Sequence, residues 1–225
     1  VVTLPPPSLR WGIRRLKDDQ EYIDSAVELA VAVSTLAHLS AHSSLVDIGC
    51  GPGRLLIGLD TVGRVGHYVG VDTNAEVIDW ASKNLSGPGV EFHEVPVFNE
   101  RYNPNGGRPE QTGFLPFDDG QFDAACLHSV FTHMRLPTIV LYLAELERIL
   151  RPGGRAYVSA FAEDGVPDET ENPDDYGGPW SGPLHCVRLN RGVFDELVVA
   201  AGLTVDTFQH KPTHQSRYGL LKEPR

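Results

Sequence analysis

The segment Val46-Asp47-Ile48-Gly49-Cys50-Gly51-Pro52-Gly53 restricts what this chain can fold into more than any other stretch. A short apolar run, Leu45 to Ile48, ends on three glycines spaced one residue apart, and a helical pattern resumes near Arg54. Glycine lets a backbone turn sharply and come close to a ligand. Strand, tight turn and helix in that order open an α/β sheet, whose ligands sit beyond the C-terminal ends of its strands.

The remainder of the chain repeats the alternation. Ahead of the turn, Ile23, Ala26, Val27, Ala30, Val33 and Ala37 recur at helical spacing. Behind it, Tyr68 to Val71 reads as a strand ending at Asp72, and Thr73 to Glu76 has the form of a capping box for a helix to about Leu85. A third strand is predicted over Val90 to Val95 and a fourth over Phe122 to Leu127, with a polar loop, 98–120, between them. Pro137 can open a helix whose stripe is Ile139, Leu143, Leu146 and Ile149, and Arg151-Pro152-Gly153-Gly154 ends it before a fifth strand, Ala156 to Phe161. Residues 163–183 are acidic and rich in Pro and Gly, which reads as an excursion over the surface. A helix from Arg191 to about Ala201 precedes strands at Leu203–Phe208 and Ser216–Leu221. The connection between them through Lys211-Pro212 is too short for a parallel crossover, so the last strand is expected to run in reverse.

Composition narrows the class. With 225 residues and 41% hydrophobic residues the chain suits one α/β domain. Thirty acidic residues against 19 basic ones, a formal charge of −11, argue against wrapping nucleic acid. Arg10, Arg14, Arg15 and Lys17 cluster near the N-terminus and read as solvated charges on an arm. Cys50, Cys126 and Cys186 have neither a disulfide framework nor a zinc spacing, so a reducing, cytoplasmic setting is the expectation. No apolar run approaches the roughly 18 residues of a membrane span, and no signal peptide is recognised. The acidic residues between Glu163 and Asp175 match no calcium loop, and no metal is expected.

Three details of the first turn bear on its ligand. The spacing is G-x-G-x-G, whereas dinucleotide binders carry G-x-G-x-x-G. Asp47 stands just before the loop, where a carboxylate would repel a pyrophosphate but suit the sulfonium and ammonium of S-adenosylmethionine. Asp72, about 20 residues on, can accept hydrogen bonds from ribose hydroxyls. S-adenosylmethionine is therefore favoured over a nicotinamide cofactor.

Leu45 to Gly53, VGVD at 69–72, the run 115–134 and ILRPGG at 149–154 together resemble the ordered motifs of class I S-adenosylmethionine-dependent methyltransferases. The stretch FNERYNPNGG at 98–107 with SVFTHM at 129–134 is similar to a bacterial subgroup acting on sugars, glycolipids or secondary metabolites. The resemblance implies a Rossmann-like three-layer sandwich, a mostly parallel seven-stranded sheet with one antiparallel strand near the C-terminus. Residues 1–40 would form an N-terminal arm and lid helix, and 41–225 the catalytic domain, with acceptor-loop insertions near 98–120 and 163–190. It also implies that Gly49, Cys50, Gly51 and Gly53 hold the amino-acid part of the cofactor, and that Asp47 holds its ammonium, directly or through water. Asp72 and Thr73 would hold the ribose, Val97 and Phe98 would hold the adenine through backbone and apolar contacts, and His128 and Ser129 would line the methyl-transfer site.

The expected reaction moves a methyl group to a hydroxyl of a sugar, glycolipid or secondary metabolite, leaving S-adenosylhomocysteine. His133 is the first candidate for base or acceptor-orienting group and His128 the second, histidine being suited to proton transfer near neutral pH. Tyr22 and Trp11 are candidates for a lid, and Trp180, His185 and Arg188 for an acceptor wall. N-methylation of a small amine and a non-catalytic, cofactor-binding regulator stay open as alternatives. The expected partner is a small-molecule or glycan acceptor, and a homodimer is compatible with this reading.

Overall fold

The computed structural model describes residues 3–10, 14–63, 65–110 and 112–224. Trp11 lies outside the described residues. Among the described residues five α-helices alternate with strands: α1 (Asp19–Leu36), α2 (Arg54–Val62), α3 (Ala75–Leu85), α4 (Leu136–Ile149) and α5 (Arg191–Ala200). The strands are β1 (Ser44–Ile48), β2 (His67–Asp72), β3 (Val90–Glu94), β4 (Phe122–Leu127), β5 (Leu150–Glu163), β6 (Glu169–Glu171), β7 (Val187–Asn190), β8 (Leu203–Gln209) and β9 (Ser216–Lys222). The main sheet runs β3-β2-β1-β4-β5-β9-β8. All of its pairings are parallel except those of β9, which is antiparallel to both β5 and β8. The reversed strand is the one that the short Lys211-Pro212 connection predicts, and these seven strands are those that the resemblance implies; β7 and β6, joined to the end of β5, bring the sheet to nine.

Alternation along the strands sorts the core into two faces. Val46 and Ile48 join Val69, Val71, Ala125 and Leu127 under α4 and α5, whereas Leu45, Tyr68, Ala124 and Cys126 pack with α1, α2 and α3. Side chains of a strand point to opposite faces with period 2, so Asp47 belongs to the second set. Helix α1 lies directly on α2: a Cβ on Gly58 would stand 2.0 Å from the carbonyl oxygen of Ala26. That approach fuses the N-terminal helix to the sandwich.

Four expectations need correction. The segment 163–183 is more than a surface excursion, because β7 pairs in parallel with the last residues of β5 and β6 pairs antiparallel with β7. The fifth strand begins earlier than Ala156, at Leu150, so the RPGG stretch lies within it. The capping box at Thr73 does not form. Asn74 caps α3, its side chain accepting from the N–H groups of Glu76 and Val77, and the Thr73 hydroxyl is used elsewhere. Finally, the basic residues near the N-terminus are not all solvated. Arg10 is buried, donating to the carbonyls of Pro5 and Lys17 and to Asp19, and Lys17 donates to the carbonyls of Pro7 and Arg10.

Candidate active site

The glycine loop leaves β1 and enters α2 with Gly49, Gly51 and Gly53 all at positive φ, the region that suits glycine. The loop is tied to β2, since the N–H groups of Gly49 and Cys50 both donate to the Val71 carbonyl. Its neighbours are close: a Cβ on Gly49 would meet Val130 at 2.6 Å and one on Gly53 would meet Leu85 at 2.5 Å. Gly51 is different, because nothing lies within 4 Å of where its Cβ would be. Cys50 is buried, burial raises its thiol pKa well above the usual range, and it fits the turn without acting as a nucleophile.

Asp72 closes this cradle. One carboxylate oxygen accepts the Gly51 N–H at 2.9 Å and the other accepts the Asn74 N–H at 2.9 Å. Burial raises its pKa, and the N–H groups of Asn74, Gly51 and Thr73 oppose that rise. Each oxygen keeps lone-pair capacity for a ligand hydroxyl. The open face at Gly51 and these two oxygens fit a nucleoside bearing ribose hydroxyls.

Thr73 lies between β2 and the loop that follows β3. Its hydroxyl donates to the Val97 carbonyl at 2.8 Å and accepts from the Asn103 amide at 2.9 Å. Asn103 also donates to the Val97 carbonyl, and the Phe98 N–H donates to the Gly107 carbonyl. These bonds close the segment 97–107 on itself, so that carbonyl and that N–H are already used. Two of the backbone groups expected to contact adenine are thus committed, and the Phe98 ring carries the Arg108 guanidinium 3.8 Å from its centre. A cavity of about 560 Å³ opens beside this closure, lined by Thr73, Asn74, Glu76, Glu94, Tyr102 and Asn103 among others.

Asp47 is not where a direct contact with an ammonium requires it. Its carboxylate is 3% exposed and sits beneath the loop, where Oδ2 accepts the Tyr68 hydroxyl at 2.7 Å. Burial raises its pKa to about 6, against the hydrogen bonds from Tyr68 and Cys126. The period-2 alternation of β1 aims it at the face carrying α1 to α3. Tyr22 is likewise buried, with the Arg10 guanidinium 4.9 Å from its ring centre, so it forms core and not an open lid. Its hydroxyl is pushed up to about 12 by burial.

Two histidines follow β4. His128 sets Nδ1 3.2 Å from the Tyr157 hydroxyl, and burial lowers its pKa well below the usual value. His133 ends a short 3-10 turn, Phe131–His133. Its Nδ1 lies 2.9 Å from the Leu184 carbonyl. A carbonyl only accepts, so Nδ1 carries the proton and Nε2 keeps its lone pair. Burial lowers the His133 pKa to about 4, the Leu184 hydrogen bond opposing it. The side chain is therefore neutral at pH 7.

Both loops expected to form the acceptor site reach His133. Tyr102 stands edge-on to its ring at 5.3 Å, and Asn99 donates to its carbonyl. From the second loop come Leu184 and His185, whose Nδ1 accepts the Ser181 N–H and whose ring packs edge-on against Trp180. Arg101 stitches the loops together by donating to the carbonyls of Ser181 and Pro183. Arg135 adds a second clamp, to Glu169 and Glu171 of β6. Arg188 corrects the expectation of an acceptor wall. It is buried in β7, paired with Asp175 at 2.6 Å and lying over the Tyr176 ring. Arg101, Tyr102 and Leu184 carry no sequence signal for these contacts, because the partners lie ~30–80 residues apart and meet only in the folded chain.

Comparison with known proteins agrees with this geometry. A family described as "Methyltransferase domain" matches residues 46–158. The 2-phytyl-1,4-naphtoquinone methyltransferase of Nostoc punctiforme is 32% identical, over 58% of this chain and 51% of its own length. This chain spans from 37% to 51% of the length of such curated relatives. The fold matches a chain of the complex between the Haloferax volcanii Trm112 methyltransferase activator and a methyltransferase. There the TM-score is 0.66 at 18% identity, covering 91% of this chain and 93% of that one. It also matches the Burkholderia thailandensis 1,6-didemethyltoxoflavin-N1-methyltransferase with bound 1,6-didemethyltoxoflavin and S-adenosylhomocysteine. In that case the TM-score is 0.59 at 20% identity, covering 91% and 81% of the two chains. The chain belongs to the class I S-adenosylmethionine-dependent methyltransferases.

Proposed function

We propose that the chain transfers a methyl group to a hydroxyl of a sugar, glycolipid or secondary metabolite, with His133 orienting that hydroxyl. S-adenosylmethionine supplies, when bound, a methyl group made electrophilic by the sulfonium that carries it. The observation that carries the reading is the hydrogen bond from His133 Nδ1 to the Leu184 carbonyl. It leaves Nε2 as an acceptor for the hydroxyl proton, at the meeting point of loops 98–107 and 180–186.

An imidazole whose conjugate acid has a pKa of about 4 is a weak base. It would take little of the hydroxyl proton before the methyl group has largely moved. Its contribution is then mainly to hold the oxygen in line, with proton transfer late, so the effect belongs near the low end of the 10²–10⁴-fold range of general bases. In the same reading Gly49, Gly51 and Gly53 hold the amino-acid end of the donor and Asp72 its ribose. His185 and Trp180 give the acceptor an aromatic wall.

The test is incubation with methyl-labelled S-adenosylmethionine and a panel of sugars, glycolipids, phenols and amines. Labelled ether from a hydroxyl acceptor, reduced by roughly 10²-fold in His133→Ala, supports the reading. Label found only in amines would replace it with N-methylation. Equal product from both proteins would remove His133 from the mechanism.

A further inference from the structure

We propose that Gln215 is a positioning residue for donor binding, an inference that rests on reading the end of β4 as part of the donor site. Ser129, two residues beyond that strand, has φ 59°, a left-handed conformation that a Cβ disfavours. Such a conformation persists only where the surroundings over-determine it. Here the Ser129 N–H donates to the Ser159 hydroxyl at 2.8 Å, and the Ser129 hydroxyl donates to Gln215 Oε1 at 2.9 Å. The Ser159 hydroxyl donates to the same Gln215 oxygen at 2.7 Å. One carbonyl oxygen from the β8–β9 connection thus gathers two hydroxyls, one from the end of β4 and one buried in β5.

What this clamp controls lies one residue further on. Val130 occupies the space beside Gly49, where a Cβ would meet it at 2.6 Å. On the other side of Ser129 is His128, fixed against Tyr157. A Ser129 relaxed to negative φ would re-aim both neighbours and unseat Val130 from the glycine loop. Gln215 is itself held independently of Ser129, since two residues earlier the Thr213 N–H donates to Glu163, which also accepts the Tyr176 hydroxyl. The C-terminal hairpin therefore sets the backbone that faces the donor.

The experiment measures S-adenosylhomocysteine affinity by calorimetry, with thermal melting alongside, for the wild type, Q215M, Q215E, S129G and S129G/Q215M. Methionine matches the shape of glutamine and lacks the accepting oxygen, and Q215A serves if Q215M does not fold. Losing an acceptor shared by two hydroxyls is expected to weaken binding about tenfold in Q215M. Q215E keeps an accepting oxygen and is expected to stay within about twofold of the wild type. Glycine adopts φ 59° freely, so S129G/Q215M is expected to recover most of the loss. Because glycine at this φ also stabilises the fold, affinities are compared only among variants that melting shows to be fully folded at the calorimetry temperature. Wild-type affinity in Q215M would overturn the proposal, as would a loss that S129G leaves unchanged. A wild type that does not bind S-adenosylhomocysteine would instead overturn the donor-site reading itself, and that result is seen before any variant is made.

Discussion

Asp47→Asn should make this protein more stable at pH 8 and leave it nearly unchanged at pH 4. The Asp47 carboxylate is 3% exposed, and the hydrogen bonds it receives come from neutral groups, the Tyr68 hydroxyl and the Cys126 thiol. Burial therefore raises its pKa to about 6, while the unfolded chain keeps the ordinary value near 3.9. The folded state holds the proton more tightly, so the stabilisation is fully present below pH ~4 and is lost as the pH rises through about 6. A shift of about two pKa units corresponds to about 3 kcal/mol. Asparagine keeps an oxygen to accept the Tyr68 hydroxyl and never ionises, so this loss should vanish in the variant.

Urea denaturation of both proteins at half-unit steps from pH 4 to 8, without cofactor, isolates the effect. The stability difference between the two proteins cancels the titrating groups that do not interact with Asp47 and should rise in favour of Asn by about 3 kcal/mol across the window. A difference that stays flat between pH 5 and 7.5 would refute the reasoning. So would a constant deficit in the variant, which would mean that the charge is compensated and the carboxylate stabilises the fold.

Other consequences are as specific. Gly51→Ala should lower Tm by only a few degrees, since the Cβ meets nothing and only the positive φ is strained, yet abolish detectable S-adenosylhomocysteine binding in calorimetry by filling the cradle. Asp72→Ala should weaken that binding by about 10²-fold, because ribose hydroxyls lose charged acceptors and the loop loses its Gly51 tie. Gly58→Ala sets a gain of about 1 kcal/mol in helix propensity against a Cβ forced to 2.0 Å from the Ala26 carbonyl; the clash should win, by about 1–3 kcal/mol in urea denaturation. The pH–rate profile should show no acid limb near pH 6.5 from His133, which stays neutral down to about pH 4; a limb at 6.5 that disappears in His133→Ala would contradict its burial.

Most of the fold was legible because it is built from local chemistry. The runs at 45–48, 68–71 and 122–127 became strands, and the Lys211-Pro212 turn reversed the last one, since two short strands joined so closely can only pair antiparallel. What was missed depends on contacts that no window contains. β6 and β7 are three and four residues long and acquire their identity only by adding to the end of β5. Thr73 has the residue type of a cap, yet its hydroxyl is drawn to Val97 and Asn103, and the cap passes to Asn74. Local propensity was outvoted there by the closure of the 97–107 loop.

The candidate site divides along the same line. The tight turn and the position of Asp72 were readable because both are set within ~25 residues, and the structure joins them through the Gly51 N–H. His133 was readable as a residue type, but its charge state was not. That depends on Leu184, 51 residues away, which selects the tautomer, and on burial, which keeps it neutral. Asp47 shows that a motif residue can be legible while its surroundings are not. In β1, positions 45 and 47 share a face, and Leu45 packs with Tyr68 and Cys126 among the side chains of α1 to α3. The strand period thus places Asp47 under the loop, hydrogen-bonded to Tyr68. A carboxylate kept there at a cost of about 3 kcal/mol at neutral pH is easier to understand in a protein that binds a cationic donor than in one that binds a pyrophosphate.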